Sequence, residues 1–235
     1  MQFIEKNSFN VRSAVYRLKK DGASLEFLLF PMIHVGSKEF YDEVSQRLAE
    51  CDLILVEGVN SRKVHLLTLS YRIVKKIRRL DLVTQQDGMN VSGLRDKIIN
   101  TDMDGRAFDE RWAALGWGLK ALLFLFLPIY LVNLFLFGSR ETLAKNMALE
   151  DLPSSDEILL QDESFEKFDA LLIDERDRRL ITHLKKLCDS KLQEKKIVGV
   201  VYGARHMRNA IRFLLEGLKY KVSKAEWVTV FDLDP

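Results

Sequence analysis

Three short segments of this 235-residue chain, LEFLLFPMI (25–33), LILV (53–56) and IVGVVY (197–202), are apolar almost throughout. Short apolar runs without alternation mark strands covered on both faces, the way parallel sheets are buried in α/β proteins. Lys38–Ala49 lies between the first two and places Phe40, Val44 and Leu48 on one helical stripe. Val11–Leu18 reads as an earlier strand closed by an Asp21-Gly22 turn, Ile98–Met103 as a further strand and Trp227–Phe231 as the last. Helices are expected over Phe165–Cys188 and Met207–Leu218. Strands alternating with helices predict a single α/β domain over 1–235, with a mostly parallel or mixed central sheet flanked by helices.

Composition narrows the class. Hydrophobic residues at 47% and charged residues at 30% describe a globular chain, and four prolines with twelve glycines exclude collagenous or low-complexity structure. A net charge of +2 is too balanced for nucleic-acid binding by bulk charge, so no nucleic acid is expected as a partner. Cys51 and Cys188 form no CxxC pair, which excludes a disulfide scaffold or a zinc ribbon and suits reduced thiols. The N-terminus, MQFIEKNSFN, lacks the basic and apolar regions of a secretory signal. The expected location is the cytoplasm, either free or peripheral to a membrane.

Charge is nevertheless uneven. Ser61–Arg79 holds seven Lys or Arg and no acid, in what reads as a basic amphipathic helix, whereas Glu150–Asp177 holds eleven acids against Lys167 and Arg176. Two solvated helix faces of opposite sign account for this, and contact of the basic stretch with anionic lipid is the alternative. Leu115–Phe137 (LGWGLKALLFLFLPIYLVNLFLF) carries one charge, Lys120, and approaches the roughly 20 apolar residues that cross a bilayer. Pro128 and Asn133 interrupt it. It defines a helical insertion over 105–155, expected as a buried helix pair bent near Pro128, a homodimer interface or a shallow dip into one leaflet of a membrane, without spanning it.

Four histidines are present: His34, His65, His183 and His206. His65 and His183 fall within expected helices, where a structural role is the ordinary one. His34 follows the first apolar strand, Glu57 follows LILV, and His206 follows IVGVVY after a short turn. In open α/β sheets the carboxyl edge of the strands is where ligands bind. Two imidazoles and a carboxylate on one rim could hold Zn²⁺, Mn²⁺, Co²⁺ or Fe²⁺ with positions left for water, or could be structurally satisfied groups. The sequence contains no HExxH, GxxxxGK[ST], GxSxG or GxGxxG motif, and Ser37 near His34 lacks an elbow context, which argues against a covalent-nucleophile enzyme.

PMIHVGSKEFYDEV, LILVEGV, LIDERDRRL and VVYGARHM, in that order, resemble the TraB/PrgY/Tiki family. Family members carry two GxxH motifs and a glutamate after an early strand. The second motif is intact as Gly203-Ala204-Arg205-His206, while Pro31 stands at the glycine position of the first. The resemblance implies a divalent metal (Mn, Co or Zn) held by His34, His206 and Glu57, and hydrolysis of a peptide or amide bond in a peptide or small-molecule substrate. It implies catalytic roles for Glu57 and Arg176, and substrate contacts from Tyr202, Arg205 and Asp177. Asp104 and Arg106 resemble a family Asp-Arg pair more loosely. Periodicity supports part of this independently, because Arg176 and Asp177 fall on or beside the apolar stripe of Ile173, Leu180, Leu184 and Leu187. Charges on a core-facing stripe must be partnered, by orienting Glu57, by contacting a substrate carboxylate or in a structural ion pair. The family also includes non-catalytic, membrane-associated proteins of the pheromone-shutdown type, which is the alternative function.

Overall fold

A computed structural model of the protein describes residues 1–145, 147, 149–150, 173–190 and 194–234. In chain order the elements begin with β1 (Gln2–Lys6), β2 (Asn10–Lys19), β3 (Leu25–Met32), β4 (Val35–Gly36), α1 (Lys38–Ala49) and β5 (Leu53–Val56). Then come α2 (Arg62–Leu67), α3 (Leu69–Val74), β6 (Val83–Thr84), α4 (Gln85–Gly88) and β7 (Ile98–Asn100). The insertion supplies α5 (Gly105–Ala114), α6 (Trp117–Phe137), α7 (Arg140–Ala144) and β8 (Leu149–Glu150). The chain closes with α8 (Glu175–Asp189), β9 (Lys196–Gly203), α9 (Met207–Arg212) and β10 (Lys221–Asp232).

The fold is α/β. Its central sheet is mixed and 8-stranded, in the order β7-β5-β9-β3-β2-β1-β8, with β10 also paired to β2. The three apolar segments are neighbours: β5 runs parallel to β9 and to β7, and β9 runs parallel to β3. They are apolar on both faces because helices cover both faces. On one side Phe40, Val44 and Leu48 of α1 are buried as the stripe requires, and Ser37 caps the helix by accepting the Phe40 amide at 3.2 Å. Gly199 of β9 lets α1 and the turn after it approach closely, since a Cβ there would lie 3.1 Å from Leu48 Cδ2 and 3.0 Å from Cys51 Sγ. Burial and nearby Glu50 push the Cys51 thiol up to about 12, despite the opposing pull of Lys97 and Arg17, which keeps it protonated and inert.

Several boundaries differ from the sequence reading, each for a local reason. The expected basic helix is two short ones, interrupted at Thr68, where ψ rises to 7° and the hydroxyl competes for the Val64 carbonyl. The strand expected over Ile98–Met103 stops at Asn100, whose side-chain oxygen accepts the Asp102 amide at 2.9 Å and turns the chain. The helix from Met207 passes into a π-helical turn at Phe213–Gly217. The last strand runs over Lys221–Asp232, far longer than Trp227–Phe231, because its polar first half ladders against β2 at a sheet edge where charge is tolerated. The N-terminal part of the expected Phe165–Cys188 helix lies outside the described residues.

The insertion is the largest departure. Instead of helices bent near Pro128, α6 is one 21-residue helix that continues through the proline. Pro128 has no amide hydrogen for the Phe124 carbonyl, so the helix forgoes one backbone hydrogen bond there. Leu119 and Leu123 join a small cluster with Met103, Phe108 and Trp112, and Leu134 joins the main core. The rest of α6 is open, with only 11% of its apolar window buried, so burial in the core is not its fate. It is the one helix among the described residues long and apolar enough to cross a membrane.

Candidate active site

The carboxyl ends of four parallel strands meet at one rim. His34 lies two residues past β3, Glu57 one past β5, Asp102 two past β7, and His206 on a 3₁₀ turn (Ala204–His206) directly after β9. The ladder extends beyond the strands to fix them, with the Glu57 amide on the Val201 carbonyl and the Thr101 amide on the Val56 carbonyl. The His34 carbonyl accepts the Gln85 amide at 2.9 Å, which ties the loop after β3 to α4. The expected convergence of His34, Glu57 and His206 is present.

Glu57 is the hub, and its side chain is almost fully buried. One oxygen accepts the Gly203 amide at 3.0 Å and lies 4.0 Å from His34 Nε2. The other accepts from Arg176 Nη2 at 3.0 Å and lies 3.5 Å from His206 Nε2. Gly203, the first residue of the intact GxxH motif, sits close against this group: a Cβ would stand 3.3 Å from that same carboxylate, so the Glu57 side chain would have to shift by a few tenths of an ångström. Each imidazole is held by its other nitrogen. His34 Nδ1 faces Gln85 Oε1 at 3.1 Å, and its ring packs on Tyr71 at 4.9 Å. His206 Nδ1 meets Asp177 Oδ1 at 2.5 Å, and Asn209 donates to the second Asp177 oxygen. A second ligand that fixes Nδ1 leaves Nε2 to act on a proton or a metal. Both Nε2 atoms point toward Glu57.

Arg176 and Asp177 come from the first turn of α8, whose Leu180 and Leu184 anchor the helix in the core. Arg176 contacts Glu57 and also donates from Nε and Nη2 to Asp102, the latter at 2.6 Å. Burial pulls the guanidinium down, but the Asp102 hydrogen bond and the Glu57 and Asp102 charges outweigh it and raise its pKa above the usual value. Of the roles open to Arg176, the geometry shows two together, a buried ion pair with Asp102 and a contact that orients Glu57. Asp102 is 0% exposed in its side chain and also accepts the Gly58 and Met103 amides.

Asp102 is the functional neighbour that the sequence reading missed. Asp104 and Arg106 stand where it was sought, but Asp104 caps α5 through the Ala107 amide and Arg106 is exposed beside Glu110. The missed signal was the count past the strand end, which for Asp102 resembles that of His34 and Glu57. Tyr202 and Asp177 also take other places than those expected of substrate contacts. Tyr202 is fully buried, with its hydroxyl on Thr101 at 2.5 Å and its ring edge-on to His206, so it supports the imidazole from within the fold. Asp177, 3% exposed, serves His206. Arg205 is exposed on the turn after β9. His65 is exposed, and His183 bonds the Arg179 carbonyl within α8, away from the rim cluster.

The cluster holds three carboxylates (Glu57, Asp102, Asp177) and one guanidinium (Arg176), which contacts the first two, so with neutral imidazoles its formal charge is minus two. Either a divalent cation or two protons would balance it. Among the described residues no group of three or more His, Cys, Asp or Glu is set as a ready-made metal cage. The reason is visible at Glu57, where both oxygens already accept hydrogen bonds from the protein. The donor chemistry still fits a cation, because two imidazole Nε2 atoms with fixed Nδ1 partners converge on a carboxylate.

Surface hollows elsewhere are less suited to chemistry. One of about 590 Å³ runs along the charged outer face of α1, and another lies among Lys19, Lys20 and Lys219. Neither brings a histidine together with a buried carboxylate. Comparison of the chain with protein-family models, with curated proteins and with solved structures finds no match in any of the three.

Proposed function

We propose that this rim is the active site of a TraB-type hydrolase that cleaves a peptide or amide bond with a divalent metal, Mn, Co or Zn. The observation that carries the reading is the convergence of His34 Nε2 and His206 Nε2 on Glu57, with each Nδ1 held by a partner of its own. It is supported by the positions on which the family resemblance rests, since His34, Glu57, Arg176, Asp177 and His206 form one connected cluster.

In this reading the Nε2 atoms of His34 and His206 hold the ion together with Glu57. The ion, when bound, would lower the pKa of a water and polarise the scissile carbonyl. Arg176 and the Gly203 amide hold the Glu57 carboxylate in one orientation. In the alternative arrangement Glu57 would serve as the general base toward an attacking water instead of as a ligand. Asp177 keeps the Nδ1–H of His206 engaged, so that Nε2 presents its lone pair. His34, 43% exposed in its side chain, forms the open edge by which a substrate enters, and exposed Arg205 meets its polar groups.

The test is elemental analysis of purified protein together with turnover of a peptide library, with and without a chelator. His206→Ala is expected to lose metal and turnover together. Glu57→Gln separates the two roles of that residue: metal kept with turnover lost makes it the base, and both lost makes it a ligand. Protein without metal or turnover under any loading condition removes the hydrolase reading. It would leave the second one, a non-catalytic membrane-associated binding protein, which the exposed helix α6 favours.

A further inference from the structure

We propose that α6, with the basic segment Arg72–Arg79 beside it, is a docking surface for an anionic lipid bilayer, and that α6 lies within one leaflet without crossing. The inference rests on α6 and its surroundings alone and is independent of the hydrolase reading.

The exposed apolar surface is too broad for a protein stripe. Trp117, Phe124, Leu125, Phe126, Ile129 and Phe135 are all exposed, Trp117 by 82%. At 100° per residue these and the other exposed positions sweep roughly two thirds of the helix circumference. A partner helix in a dimer covers a stripe of about 100°, which would leave much of this surface in water. A fluid apolar medium wets the whole arc. The remaining third is sealed by the protein itself through Leu119, Leu131 and Leu134, so the domain takes the place of the polar face that an interfacial helix normally carries.

The charge next to α6 has the sign that phospholipid headgroups require. Arg79 donates to the Phe135 and Gly138 carbonyls, which fastens the basic segment to the carboxyl end of α6. Lys76 and Arg78 are exposed in the same segment and make no salt bridge among the described residues. Trp117 stands at the opposite end of α6, an aromatic of the kind that settles at headgroup depth.

Topology sets the depth. α6 is about 31 Å long at the usual helical rise, enough to span. Yet β5 precedes it, β9 follows it, and the two are hydrogen-bonded neighbours in one sheet, which places them on the same side of any bilayer. A crossing by α6 would need a return crossing between Gly138 and Lys195, and the sequence there holds no second apolar run and is broken up by 14 acids and 10 Lys or Arg. The helix therefore lies along the membrane plane.

The full-length protein is tested by flotation with phosphatidylcholine vesicles and with vesicles that also contain phosphatidylserine. The expected result is partition at least about tenfold stronger into the anionic vesicles, weakening as salt is raised. Leu125→Asp with Ile129→Asp should abolish flotation, and Lys76→Glu with Arg78→Glu should remove the preference for anionic lipid. The charge variant lies outside the packed face, so it keeps the test sound if the helix variant fails to fold. Equal partition into both vesicle types, or none into either, overturns the proposal. So does a lipid-free dimer that the Leu125/Ile129 variant dissociates while vesicles fail to compete with it. Protease cleavage of the β5 and β9 regions from opposite sides of sealed vesicles overturns the in-plane placement.

Discussion

The strand-end cluster and helix α6 break the usual division of inside and outside in opposite ways. At the rim, charges are buried: Glu57, Asp102, Asp177 and Arg176 sit inside the fold. Along α6, large apolar side chains stand in the open. The first breach is compensated within the molecule, because every one of those charges has a hydrogen-bonded partner on another element. The second has no such compensation among the described residues, which offer α6 only one narrow buried face. A buried charge thus reports on the protein's own architecture, whereas exposed apolar surface reports on something outside it.

If that contrast is right, the largest effect belongs to Arg176. Arg176→Ala leaves Glu57 and Asp102 buried without their cation and is expected to cost about 3–5 kcal/mol in urea unfolding. A loss under about 1 kcal/mol would mean that the carboxylates find water or protons instead, and the contrast would weaken. A paired core and helix substitution sharpens it next. Leu29→Ala, at a fully buried position of β3, should cost about 2–5 kcal/mol. Phe126→Ala on α6 should stay within about 0.5 kcal/mol, because the side chain is already out of the core. Equal losses at the two sites would show that α6 is packed in solution, against a second copy.

A smaller effect follows from pH. The Cys51 thiol is raised by burial from about 9 to about 12, so between those values the folded chain retains a proton that the unfolded chain has released. Its contribution to stability is complete below about 9 and is lost as pH rises toward about 12. Removing the thiol with Cys51→Ala should flatten the alkaline arm of the stability curve, and native protein should resist alkylation at neutral pH. The smallest effect is expected at Arg106, whose exposed pairing with Glu110 spaces one helical turn. Arg106→Ala should change stability by less than about 0.5 kcal/mol, and a larger loss would restore this residue to the site from which the structure removes it.

Much of the sheet was legible in the sequence because doubly covered strands have a composition of their own. LEFLLFPMI, LILV and IVGVVY could hardly be anything but buried strands, and their carboxyl ends brought His34, Glu57 and His206 to one rim. Gln2–Lys6 was silent, since its two buried residues, Phe3 and Ile4, are too few to make a pattern. Asp102 was hidden for a different reason. Its role depends on β7 ending at Asn100, and that ending is made by a side-chain turn rather than by composition. Tyr202 looked available as a site residue because alternation along a fully buried strand cannot say which face meets a cavity and which meets Thr101.

The sequence alone determined the α/β layering and the placement of three ionisable residues just past strand ends, because both follow from local composition and chain order. Only the tertiary structure decided what those features face. Arg176 and Asp177 are adjacent in the chain, yet one orients Glu57 and the other holds His206, because successive side chains on a helix diverge by about 100° and meet different strands. Likewise the apolar run could have been core, hairpin or interface. Its exposure was settled by the remaining elements, which fill both faces of the sheet and leave α6 one sealed side and a broad open one.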